Sequence, residues 1–235
     1  MAQFIYNRLS ELDDRLYRTL QQWIVSTGEL DFNQIVPLPT HLSTEEPNRA
    51  MQALAVYLRS LPEAERLALT KQLSERYKSQ GISAAQNYQD RVREILAYSD
   101  EALQQLDRQL TEIYRNLPLV QLAHVGVDLS QATAVKAGQR YAENIMQYGA
   151  MTAVDWKMLH WGTRWGALMT RYDARQHVIY FKTAQTAPLP VMQALADRFK
   201  CVFLLTYTDE EVGSELDYQT INFDGDRAKQ VRFGD

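Results

Sequence analysis

Residues 40–150 hold proline at only three positions, Pro47, Pro62 and Pro118, while apolar residues recur at steps of three and four. Proline inside a helix removes a backbone hydrogen bond and clashes with the preceding turn, so its placement marks where helices start and stop. The spacing predicts an all-helical segment. Ala50, Leu54, Tyr57, Leu58 and Leu61 line a first face, and Leu67, Leu69, Leu73 and Tyr77 a second. Tyr88, Val92, Ile95 and Leu96 mark a third, Leu103, Leu106, Leu110, Ile113 and Leu117 a fourth, and Ala134, Ala137, Tyr141, Ile145 and Tyr148 a fifth. Such stripes are core-facing. For the fourth, a homodimer seam is the alternative, although the helix is too short for a long coiled coil. Expected boundaries are a capping box of Ser43 and Glu46, a start at Pro62, a break at Gly81, a cap at Ser99–Asp100, a stop at Pro118, a cap at Ser130 and an end at Gly149.

On either side the pattern changes to period two. Phe4, Tyr6 and Arg8 alternate with Ile5, Asn7 and Leu9, which predicts a strand with its Ile/Leu face inward. Ser10 is the expected N-cap of a helix carrying Leu12, Leu16, Leu20, Trp23 and Ile24, and Gly28 its end. Residues 30–39 are expected to be extended, because each proline restricts the residue before it. After the helical segment, Asp155–His160 reads as a short helix, 167–172 and 177–182 as strands, 190–199 as an amphipathic helix and 201–207 as an apolar central strand. Asp224-Gly225 signals a hairpin between 218–223 and 227–233. The ends therefore combine into a βαββαβ order. The simplest closure is an α+β fold, a split ferredoxin-like sandwich with a large all-helical insertion. The expected parts are 1–39, 40–150 and 151–235. The first strand is expected to pair directly with 177–182 and only to share a sheet with 202–207.

Composition narrows the function classes. Of 235 residues 46% are hydrophobic and 23% charged, as in an ordinary globular chain. No apolar run approaches the roughly 20 residues of a membrane span, and no basic stretch leads into an apolar one at the start, so a cytoplasmic protein without membrane contact is expected. A single cysteine, Cys201, excludes an internal disulfide and a cysteine-built zinc site. Charge is segregated: residues 151–208 carry 7 basic and 3 acidic side chains, and residues 209–235 carry 3 and 8. That ordering suits a basic face for an anionic partner beside an acidic tail.

Motifs of phosphate, dinucleotide and metalloprotease sites are absent, and the four histidines share no ligand spacing. Asn222, Asp224 and Asp226 begin like a calcium loop, but Arg227 and Phe233 stand where it needs glycine and glutamate. No catalytic residue, metal or cofactor is assigned. Asp155, His160 and Arg164 are close enough in sequence for an acid–base cluster; the favoured reading has His160 packing beside Trp156 and Trp161 while Arg164 pairs with a carboxylate. Gly162 and Gly166 predict a loop around Trp161 and Trp165, with at least one tryptophan wedged between insertion and sandwich, Trp165 before Trp161. An aromatic–arginine recognition surface is the rival. Tyr180 and Lys182 on one strand, with Arg171 and Tyr172 on the next, could stack and neutralise a nucleic acid. The sequence pI of about 5.6 and the missing ribonucleoprotein signature argue the other way. The candidate binding residues are thus His160, Trp161, Arg164, Trp165, Arg171, Tyr180 and Lys182.

Four segments carry a resemblance: Tyr6-Asn7-Arg8-Leu9, residues 30–39, Trp161-Gly162-Thr163-Arg164-Trp165-Gly166, and Phe181-Lys182-Thr183-Ala184 before Pro188 and Pro190. In this order they resemble the YubB-like family, encoded by phages, prophages and plasmids and described as having a ferredoxin-like domain. The chain departs from it at Ala184-Gln185-Thr186-Ala187-Pro188, where the family has tryptophan, serine and two prolines. The resemblance implies the same fold and a mobile-element setting, and supplies no enzymatic step. The expected function is a phage or mobile-element accessory protein that binds a host protein or ribonucleoprotein complex, as an inhibitor of host defence, with the helical insertion as recognition surface. A weak nucleic-acid-binding module on the sheet and an uncharacterised enzyme are the alternatives.

Overall fold

The alternation of the first residues becomes strand β1, Phe4–Ser10, with Ile5, Asn7 and Leu9 buried and Tyr6 and Arg8 exposed. The computed structural model describes residues 3–79, 90–94, 96–209, 218–225 and 227–231. The chain divides into two units, Met1–Pro37 with Lys157–Asp235 and Leu38–Trp156.

The first unit is built on β1. Strand β3, Val178–Ala184, pairs antiparallel with one edge of β1, and β4, Val202–Asp209, with the other. Strand β2, Leu168–Asp173, lies outside β3, and the hairpin of β5, Gln219–Asp224, and β6, Arg227–Val231, extends the sheet beyond β4. The order β2-β3-β1-β4-β5-β6 contains the ferredoxin-like arrangement of four strands. The expectation that β1 and β4 merely share a sheet is corrected by their direct register, Asn7 opposite Tyr207 and Leu9 opposite Leu205. The crossover through α8, Leu189–Phe199, returns the chain parallel to β3 with a one-strand gap between, and β1 fills that gap.

One sheet face is the core. Ile5, Leu9, Ile179, Phe181, Phe203, Leu205, Ile221 and Phe223 are buried on it, and helices α1, Asp14–Thr27, and α8 bury Leu16, Leu20, Ile24, Val191, Met192 and Leu195. Helix α1 is capped by Asp13, whose carboxylate accepts from the Leu16 N–H at 2.7 Å. Ser10 does not cap it, because pairing with Leu204 keeps Ser10 extended. Gly28 closes the helix at φ 82°, donating to the Ile24 carbonyl. Residues 30–39 are not uniformly extended: Phe32–Gln34 form a 3-10 turn, started by the Asp31 side chain accepting from the Asn33 N–H. At the β2 edge, a bulge sets Met169 at φ 53°, and the Glu29 carboxylate accepts from the Met169 and Thr170 N–H groups at 2.8 and 2.7 Å.

The second unit is helical: α2, Pro47–Ser60; α3, Glu63–Lys78; a helical stretch at 90–94; α4, Asp100–Asn116; α5, Leu119–Val125; and α6, Ala134–Tyr148. Helix α7, Ala153–His160, carries the chain back into the first unit. Ala50, Leu54, Leu58, Leu73, Leu103, Leu110, Ala137, Tyr141 and Ile145 share one core. Helices α2 and α6 approach so closely that a Cβ on Gly138 would stand 2.0 Å from the Ala53 carbonyl oxygen. The Ser43–Glu46 capping box does not form: the Ser43 hydroxyl accepts from the Glu45 N–H, and Glu45 turns to Arg49 and to the Tyr141 hydroxyl. Thr133, not Ser130, caps α6, since Ser130 donates to Asp128. Ser99 caps α4 as expected. Helix α5 was not foreseen; Pro118 starts it and Gly126 ends it. Gly81, Tyr88 and Ile95 lie outside the described residues. Among the described residues no helix is long and apolar enough to cross a membrane.

Candidate nucleic-acid interface

Alternation along β1 and β3 turns every second side chain away from the core. In an antiparallel sheet directly opposed residues share a face. One row across the open face therefore runs Arg171, Tyr180, Arg8, Thr206, Thr220, and the next runs Leu168, Lys182, Tyr6, Thr208. Tyr6 and Tyr180 are each 40% exposed, on adjacent central strands and diagonal to each other. Arg8 and Arg171 are exposed on either side of Tyr180. The Lys182 ammonium lies 4.2 Å from the centroid of the Tyr6 ring and 5.7 Å from that of Phe4. Thr206 and Thr220 share a hydroxyl–hydroxyl hydrogen bond of 3.1 Å. Two tyrosine faces and three cations within two rows can take stacked bases and neutralise phosphates.

Arg171, Tyr180 and Lys182 are thus brought together as the sequence suggests. Tyr172 is not with them: it stands opposite Ile179, on the other side of the sheet. Tyr6 and Arg8 were missed as candidates. Their signal was the outward phase of β1, which gained meaning only once β1 was placed beside β3.

The tryptophan–glycine loop has a different role. Trp161 is buried, its indole N–H donating to the Val36 carbonyl at 2.9 Å. Its ring meets Phe32 edge-on at 5.7 Å, and Phe32 meets Phe181 the same way at 6.0 Å. The Lys157 ammonium sits 5.3 Å from the Trp161 ring centroid, and burial lowers the Lys157 pKa. Gly162 is required twice over: its φ is +79°, and a Cβ there would stand 2.4 Å from Pro190 Cδ. Thr163 donates to the Ala184 carbonyl at 2.8 Å, and Thr186 donates to the Gly162 carbonyl. Three of the segments that carried the family resemblance therefore converge on one packed knot. Trp165 is 42% exposed, which reverses the expected ranking of the two tryptophans, because Trp161, Thr163 and Ala167 take the inward positions. His160 and Arg164 are half-buried and belong to α7 and this loop, not to the open-face rows.

Asp155 is occupied at the start of α7. Its carboxylate accepts from the Thr152 N–H at 3.2 Å and the Thr152 hydroxyl at 2.9 Å, while the Asp155 N–H donates back to that hydroxyl at 3.2 Å. This is a capping box, and burial raises the Asp155 pKa. Burial likewise pushes the Cys201 thiol up, which makes it a poorer nucleophile.

No family model and no curated protein matches the chain. Among solved structures, the crystal structure of protein api92 from Yersinia pseudotuberculosis, described with the family model DUF1281, aligns over 100% of both chains at 11% identity with a TM-score of 0.37.

Proposed function

We propose that the open face of the sheet binds single-stranded nucleic acid, the alternative that the sequence offers beside binding of a host protein or ribonucleoprotein complex. One observation carries the reading: Tyr6 and Tyr180 are exposed on adjacent central strands, inside the two rows that hold Arg8, Arg171 and Lys182. Bases stack on the tyrosine rings and phosphates fall to the flanking cations. The hydroxyls of Thr206, Thr208 and Thr220 supply further hydrogen bonds to sugar or phosphate. The interaction is weak and tolerant of sequence, because stacking accepts any base and the rows present no bidentate amide. A binding site confined to this face is compatible with an acidic chain, since the local charge and not the net charge meets the phosphates.

The test is titration of the whole protein with short single-stranded DNA and RNA at several salt concentrations. Three neutralised phosphates give a log–log slope of about −2, taking about −0.7 per phosphate for single strands. Tyr180→Ala is expected to weaken binding by about 1–3 kcal/mol, the value of one stacked base. Binding that ignores salt, or that survives Tyr180→Ala unchanged, removes the reading and returns a host protein as the partner to seek.

A further inference from the structure

One row of the open face changes character along its length. Arg171, Tyr180 and Arg8 are exposed on β2, β3 and β1, and the row continues into Thr206 on β4 and Thr220 on β5. Neighbouring strands lie about 4.8 Å apart, so the two threonines stand roughly 10 and 14 Å beyond Tyr180. The cations end where the hydroxyls begin. The Thr206 and Thr220 hydroxyl oxygens are 3.1 Å apart, and among the described residues neither has another hydrogen-bond partner. Threonine is stiff at χ1, and the bond between the two hydroxyls fixes them further. The pair uses one proton on itself. It keeps the other proton, and both oxygens keep lone pairs.

We propose that this face selects RNA over DNA, with the Thr206–Thr220 pair reading a ribose 2′-hydroxyl, an inference that rests on the nucleic-acid reading above. A strand with a base on Tyr180 and phosphates at Arg8 and Arg171 carries a following sugar over Thr206 and Thr220. A 2′-hydroxyl is both donor and acceptor. It accepts the free proton of the pair and donates to one of its oxygens, so the contact is satisfied in both directions. A phosphate can take only the proton, and these two positions offer it no charge. A deoxyribose takes nothing, and covering the pair with it leaves hydrogen-bonding capacity unmet. The two hydroxyls are held before binding, so little freedom is lost when the sugar arrives. The sugar is read and the base is not, which agrees with a site tolerant of sequence.

The experiment compares an oligouridylate with an oligodeoxyuridylate of the same length, probes that differ only at the 2′ position. The whole wild-type protein should bind the ribo probe about three- to tenfold more tightly, the worth of one hydrogen bond. The two salt lines should run parallel, because the 2′-hydroxyl carries no charge. Thr206→Val combined with Thr220→Val removes both hydroxyls at nearly constant shape and leaves neither without its mate. That variant should bind the ribo probe only as tightly as the deoxy probe. Its affinity for the deoxy probe should be unchanged, which also shows that it is folded. Thr206→Ser combined with Thr220→Ser should keep the preference. A 2′-O-methyl oligouridylate cannot donate, and it should lose the advantage on the wild type without any change to the protein. Equal binding of ribo and deoxy probes by the wild type, or a difference that lies in the salt slope, overturns the selectivity and leaves the interface standing. So does a preference that persists in the valine variant or with the 2′-O-methyl probe. Absence of binding to either probe overturns the interface and the selectivity together.

Discussion

The sheet unit contains two aromatic clusters with opposite fates. Trp161, Phe32 and Phe181 meet edge-on inside the core, closed off by the Val36, Ala184 and Gly162 carbonyls. Tyr6 and Tyr180 stand on the outer face among cations. The first cluster comes from the most distinctive stretch of sequence, the second from residues that differ little from any amphipathic strand. A rare residue pattern here reflects a demanding packing problem: an indole, a left-handed glycine and a proline have to fit one another. The surface suited to a ligand needs only the right phase and the right neighbours.

The largest effect expected from this contrast is on stability. Trp161→Ala removes a buried indole and its hydrogen bond and should cost about 3–5 kcal/mol, read as a loss in denaturant midpoint. A loss under about 1 kcal/mol would move Trp161 out of the core and undo the comparison. Tyr180→Ala should do the reverse, leaving stability within about 0.5 kcal/mol while weakening oligonucleotide binding.

A smaller effect lies in the helical unit. Asp155 has a raised folded pKa, so the native state binds more protons there than the unfolded chain does. Its contribution is fully present below the ordinary value of 3.8 and is lost as pH rises through the folded value. Asp155→Asn keeps an acceptor for the Thr152 N–H and should flatten that part of the stability–pH curve; an unchanged slope would sever Asp155 from it. The smallest effect is expected at Trp165→Ala, within about 0.5 kcal/mol in stability, although it lies four residues from the position where the largest occurs. A loss as large as that of Trp161 would erase the distinction between the two.

Much of the fold was legible locally. The period of β1, the stripes of α2, α6 and, apart from the exposed Ile113, α4, the caps at Ser99, Gly28 and Gly149 and the Asp224-Gly225 hairpin all follow from short-range chemistry. What was not legible depends on distant partners. The pairing of β1 with β4 joins residues nearly two hundred positions apart, and nothing in either strand names the other. Ser10, Ser43 and Ser130 are all competent N-caps, yet each was recruited elsewhere, by a strand register, by a neighbouring N–H and by Asp128. The same limit explains the candidate site. Arg171, Tyr180 and Lys182 could be grouped because a hairpin joins them, while Tyr6 and Arg8 awaited the placement of β1.

The carboxylate of Glu29 on the β2 bulge bears on how this sheet can grow. A bare edge strand is a template, and any extended segment that finds its row of N–H and carbonyl groups can add to it. At β2 that row is broken: two consecutive N–H groups are turned out of line and already satisfied from within. An incoming strand would have to displace a charged group to begin pairing, so this border resists templated addition. The hairpin of β5 and β6 adds instead along β4, at the opposite border. Among the described strands the sheet thus has a direction, stopped at the β2 border and extended at the β4 border.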